Sequence, residues 1–127
     1  MLRLFFATIL TVLSLAPGCA FAGCLQAQEK ATIIEGVLSE KTFPVANDQP
    51  EQAFILTPLL PTCLAGDENI DQNTKVGEIQ IISSNDQVTQ KIKNYLGKDV
   101  FVQGTPFAAN AAHHHAPIVM DVTGVLK

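Results

Sequence analysis

Tryptophan is absent from this chain, and tyrosine occurs once, at Tyr95. Beyond residue 22 the phenylalanines are Phe43, Phe54, Phe101 and Phe107. A groove that stacks the bases of a single strand needs more rings than this, with basic charge between them. Basic charge is also scarce: 8 Lys and Arg stand against 12 Asp and Glu, for a net charge of −4. An acidic surface repels nucleic acid and anionic lipid, so nucleic acid is excluded as a partner. No apolar run reaches the roughly 20 residues that a membrane-spanning helix needs. Stable membrane insertion of the mature chain is excluded with it.

What is present begins at the N-terminus. Arg3 gives a short basic start, Leu4 to Leu15 is almost unbroken apolar sequence, and Ala20-Phe21-Ala22 closes the segment with an A-x-A cleavage pattern. This arrangement reads as a secretory signal peptide over residues 1–22, with a single domain over 23–127. A periplasmic or secreted address follows. Cleavage removes Arg3 and Cys19 and leaves 7 basic against 12 acidic residues, with Cys24 and Cys63 as the remaining thiols. In an oxidising compartment two cysteines are most simply a disulfide. A second reading is kept beside it: Phe21-Ala22-Gly23-Cys24 loosely fits a lipoprotein box, which would anchor the chain at Cys24 and leave Cys63 unpaired.

Hydrophobic patterning orders the rest. Residues 30–40, with Gly36 permitting a bend, and residues 51–58, ended by Pro58, read as two strands around a loop over 41–50 that holds two prolines and an Asn-Asp pair. Leu59 to Thr74 has no period and reads as irregular. Residues 75–83 form a third strand. Val88, Ile92, Tyr95 and Leu96 then fall on one helical face over residues 85–96, with Ser84, Asn85 or Asp86 to cap the start and Gly97 to end it. Strands over 99–107 and 117–126 follow. The fold expected is mainly β: an OB-like five-stranded Greek-key barrel with one α-helix between strands three and four.

The C-terminal third carries a resemblance. Leu96-Gly97-Lys98, Gly104-Thr105-Pro106-Phe107 and His113-His114-His115-Ala116-Pro117, before an apolar strand, resemble the closing segment of a bacterial exported family known as domain of unknown function 4431. Cys24, Glu35-Gly36-Val37-Leu38 and Pro61-Thr62-Cys63 extend the likeness over nearly all of the mature chain. Ala111-Ala112 departs from it, standing where a Thr-Gly pair is usual. The resemblance implies the fold, export and the disulfide; it implies no reaction.

The one chemically loaded constellation is His113-His114-His115. In extended backbone His113 and His115 share a face and His114 points away, and two imidazoles so placed suit Zn²⁺ or Cu²⁺. A third ligand would come from Asp121, or from Asp67, Glu68 or Asp71 in the long loop. The structural alternative is one histidine bonded to backbone while the others are solvated. Ser39, Ser83 and Ser84 sit in no nucleophile motif, so no enzyme is expected and no cofactor beyond that metal. The function expected is an exported, periplasmic β-barrel binding module of the cell envelope. Its partner would be an envelope protein, peptide or glycan, met on the barrel face by analogy with OB-type barrels. The alternative is a metal-binding protein using His113 and His115.

Overall fold

The computed structural model describes residues 23–47 and 49–127. The expected leader, residues 1–22, lies outside the described residues. Seven strands and one helix follow in the order β1 (Leu25–Gln26), β2 (Thr32–Phe43), β3 (Glu51–Pro58), β4 (Leu64–Ala65), β5 (Ile79–Ile82), α1 (Asp86–Asn94), β6 (Asp99–Ala108) and β7 (Ile118–Leu126).

The five longer strands are hydrogen-bonded in the ring β2-β3-β5-β7-β6, a closed barrel. β2 makes the closure. Residues 32–37 of β2 pair with β6 and residues 36–43 pair with β3, both antiparallel. Gly36 lies where the two pairings overlap, and a Cβ there would sit 2.4 Å from the Thr57 carbonyl oxygen. Only glycine lets the backbones approach this closely. Gly104 plays the same part at the register shift between β6 and β7, where a Cβ would meet the Asp121 carbonyl oxygen at 2.1 Å.

The core follows from strict alternation. In β6 Val100, Val102, Gly104, Pro106 and Ala108 are buried and the residues between them are not, which is the period of a strand with one face inward. Leu38, Leu56, Ile79, Ile81, Ile118 and Met120 join Val100 and Val102 in the interior. The helix adds Val88 and Ile92, both buried, with Tyr95 and Leu96 packed at the margin. Asn85 caps it, its side chain accepting from the backbone N–H groups of Gln87 and Val88. These bonds satisfy two of the donors that a helix start leaves open.

Cys24 and Cys63 form a disulfide. It lies beside the parallel pairing of β1 with β4, where Leu25 N–H donates to the Cys63 carbonyl at 2.8 Å. Closing a loop of 39 residues stabilises the fold by about 4 kcal/mol on the chain-entropy argument.

Several expectations are corrected. Among the described residues there are seven strands where an OB-like arrangement of five was expected, and the helix follows the fifth strand instead of falling between the third and fourth. The shift in count comes from β1 and β4, two residues each, too short to show any alternation. β4 and Thr62 fall in the stretch read as irregular, and Thr62 makes an isolated bridge out of it to Val76 in the expected third strand. β5 keeps only 79–82 of the strand expected over 75–83. β2 runs on to Phe43, into the expected loop. Among the described residues no helix is long and apolar enough to cross a membrane.

Candidate functional site

Two places on the molecule gather side chains in ways that burial of a core does not require. The first is the loop 109–117 between β6 and β7. It folds over the outer face of the sheet, where Ile55, Gln80 and Val119 are cross-strand neighbours and all three are buried. Among the described residues Gln80 is the one buried polar side chain, and it fastens the loop. Its Oε1 accepts from His115 N–H at 2.6 Å, and its Nε2 donates to the His113 carbonyl at 3.0 Å. The covering loop also explains why Ile118, Val119 and Met120 are buried in succession, as strands covered on both faces are.

The histidine side chains take their places from this backbone. His113 Nδ1 contacts both carboxylate oxygens of Glu51, at 3.0 and 2.9 Å. His115 lies flat on Phe43, and its Nε2 stands 3.4 Å from Glu51 Oε2, outside good hydrogen-bond geometry and with no hydrogen-bond partner. Phe43 and Glu51 are register partners at the loop end of the β2–β3 hairpin. The hairpin thus presents one ring and one carboxylate to two histidines. The hydrogen bond from His113, and a smaller contribution from His115, hold the Glu51 carboxyl below its ordinary 4.5, with burial opposing. His114 turns to the other side: its Nδ1 accepts from Asn110 N–H at 3.0 Å and its ring leans on Phe107. A cavity of about 300 Å³ opens beside Glu51 and His113, floored by Phe54, Ile81 and Ile92.

The metal reading of His113 and His115 is corrected here. Among the described residues no group of three His, Cys, Asp or Glu side chains is placed to hold a metal ion. The acids expected to complete such a site are engaged elsewhere or exposed. Asp67 accepts from the N–H groups of Ala108 and Asn69, at 2.9 and 3.0 Å. Those two backbone donors lower its pKa, because they favour the charged form. Asp71 accepts from Asn73 N–H at 2.8 Å. Asp121 is exposed on β7. The histidines serve instead to close a loop onto a carboxylate. Neither Glu51, 62 residues from His113, nor Gln80 was singled out from sequence. Apolar residues on both sides of Gln80 were the available signal that its strand is buried on both faces.

The second place is a groove of about 360 Å³ between β1, the start of β2 and the segment 58–62 that leaves β3. Ile33, Leu59 and Leu60 line it, and they are 58%, 63% and 71% exposed. Leu25, Glu35 and Thr62 complete the walls, and the disulfide ties the residues next to Leu25 and Thr62 together. Around the sheet from Ile33 the outer face stays apolar: Val37, Phe101 and Leu126 are also exposed, with Phe101 opposite Glu35 on one side and Leu126 on the other. Glu35 and Asp99 lie within this face, and their side chains share a hydrogen bond that, with burial and mutual repulsion, raises the Glu35 carboxyl above 4.5.

The family described as Domain of unknown function (DUF4431) matches residues 78–126. The matched stretch holds β5, α1, β6, the histidine loop and β7. No curated protein and no solved structure matches the chain. The resemblance drawn over nearly the whole mature chain is therefore matched in its C-terminal part, and the groove walls at 23–62 fall outside it.

The expected function is corrected on both counts. Envelope recognition on a barrel face was an analogy with an OB-like layout. The strand count and helix position differ from that layout, and no solved structure stands behind the analogy. The metal-binding alternative has no ligand group among the described residues.

Proposed function

We propose that this chain is a non-catalytic, exported interaction domain that receives a segment of a polypeptide partner in the groove beside the disulfide. One observation carries the reading: Ile33, Leu59 and Leu60 stand more than half exposed around a single groove. Scattered apolar residues on a surface need no explanation, but contiguous ones around a concavity mark interaction sites. The groove is open and shallow, which suits side chains on an extended segment better than an enclosed metabolite. Its polar members, Glu35 and Thr62, form no nucleophile–base pair, which supports a binding role over a catalytic one. Export is supported by Arg3, the apolar run to Leu15 and the Ala20-Phe21-Ala22 pattern.

Peptides selected from a random displayed library on the purified protein test the site. They should shift the amide resonances of residues 33–35, 59, 60 and 62, and Leu60→Asp should weaken them by about tenfold or more. Shifts confined to the cavity beside His113, or affinities indifferent to Leu60→Asp, would refute the reading. Intact mass tests the address: loss of residues 1–22 with Cys24 and Cys63 oxidised is expected, and a diacylglyceryl increment on Cys24 would overturn the soluble form.

A further inference from the structure

The groove does not end in neutral surface. Glu35 lines it, and Asp99 lies beside it on the neighbouring strand, two register positions along, where Asp99 faces Val37 and Glu35 faces Phe101. Such diagonal neighbours on an antiparallel pair point to the same face of the sheet. Among the described residues the ion pairs are those of Lys41 with Glu78 and of His113 and His115 with Glu51; Glu35 and Asp99 take part in none. Two acids in contact, ringed by Ile33, Val37, Phe101 and Leu126, make an uncompensated negative charge on an apolar face. Like charges so close disfavour joint ionisation. A cation supplied from outside would remove that repulsion and gain a charge-assisted hydrogen bond.

We propose that the segment received by the groove is basic as well as apolar: it lays apolar side chains on Ile33, Leu59 and Leu60 and sets an arginine or lysine against the Glu35–Asp99 pair. The inference rests on reading the groove as an interaction site and names the chemistry of the partner. Three features favour it. The partner's cation meets two carboxylates, a geometry that suits a guanidinium fork. The exposed Phe101 ring stands opposite Glu35, where a guanidinium can also lie against an aromatic face. The chain carries a net charge of −4, which steers a basic partner toward it and slows an acidic one. The same charge argues against other occupants. A second copy would bring its own Glu35 and Asp99 to this face, and an anionic lipid surface would meet the carboxylates directly.

Fluorescence anisotropy with three labelled synthetic peptides tests it, in which leucines alternate with arginine, glutamine or glutamate. The protein is expressed as the full chain. The arginine peptide should bind the wild type about tenfold or more tighter than the glutamine peptide. That preference should shrink as salt shortens the screening length and vanish in the Glu35→Gln/Asp99→Asn variant. Leu60→Asp should weaken the arginine and glutamine peptides alike. Equal binding of these two peptides by the wild type, or a preference that survives in Glu35→Gln/Asp99→Asn, overturns the cation while leaving the groove. Binding indifferent to Leu60→Asp, or absent for every peptide, overturns the groove and the cation together. A Leu60-dependent dimer in sedimentation would replace the basic partner by a second copy and overturn the proposal.

Discussion

His115 lies on Phe43 with ring centroids 4.3 Å apart and planes within 5° of parallel. The two rings join the end of β2 to the loop before β7, so the contact ties together parts of the chain that pair with different neighbours. The stack also hides the His115 Nε2, which has no hydrogen-bond partner. A buried nitrogen of this kind adds little that a carbon would not. His115→Phe should therefore stay within about 1 kcal/mol of the wild type, while His115→Ala should lose about 1–3 kcal/mol. Urea unfolding of both variants checks this. Equal losses would assign the stabilisation to the 3.4 Å approach to Glu51 instead of the stack.

Glu51 gives the loop a pH dependence of definite sign. Its carboxyl is held below the ordinary 4.5 by the bond from His113, so the folded state favours the ionised form. The stabilisation is present above 4.5 and is lost as pH falls through the lowered folded value. Glu51→Gln should accordingly melt below the wild type at about pH 6, and the gap should narrow as the solution is acidified below 4.5. A gap that widens on acidification would contradict the assignment.

The helix packs by one face. Ile92 is fully buried and Val88 nearly so, whereas Lys91 points to solvent. Ile92→Ala should cost about 2–5 kcal/mol and Lys91→Ala under about 0.5 kcal/mol. Denaturant midpoints at constant slope check both, and similar small losses at the two positions would deny the packing.

Legibility followed the physical range of each signal. The helix was readable because Val88, Ile92, Tyr95 and Leu96 repeat at its own period and Asn85 offers a cap, all within residues 85–96. The strand Glu51–Pro58 was readable because its apolar residues run up to a proline that ends it. β1 and β4 were not, since two residues cannot show a period and their pairing depends on a disulfide partner 39 residues away. The shared face of His113 and His115 follows from extended backbone, but the carboxylate they meet comes from β3 across the sheet. Sequence spacing carries no trace of such a meeting. The groove was hidden for a related reason. Leu59 and Leu60 continue an apolar strand and look like core, and only the path of the chain after Pro58 leaves them exposed.

Glu35 should behave with the opposite sign to Glu51. The hydrogen bond with Asp99, followed by burial and repulsion from the same residue, raises its carboxyl above 4.5. The folded state thus favours the protonated form. Its contribution is fully present below 4.5 and is lost as pH rises through the raised folded value. Near neutral pH the ionised pair is a liability that Glu35→Gln removes while keeping a side chain able to donate to Asp99. Glu35→Gln should melt above the wild type at about pH 7, and the two proteins should converge at or below about pH 4. Glu51→Gln, measured in the same buffers, should show its loss over the range where Glu35→Gln shows its gain. A Glu35→Gln variant that melts lower than the wild type at neutral pH would mean that the carboxylate is already compensated by a cation within the fold, and the acidic face would lose its reason to seek one from a partner.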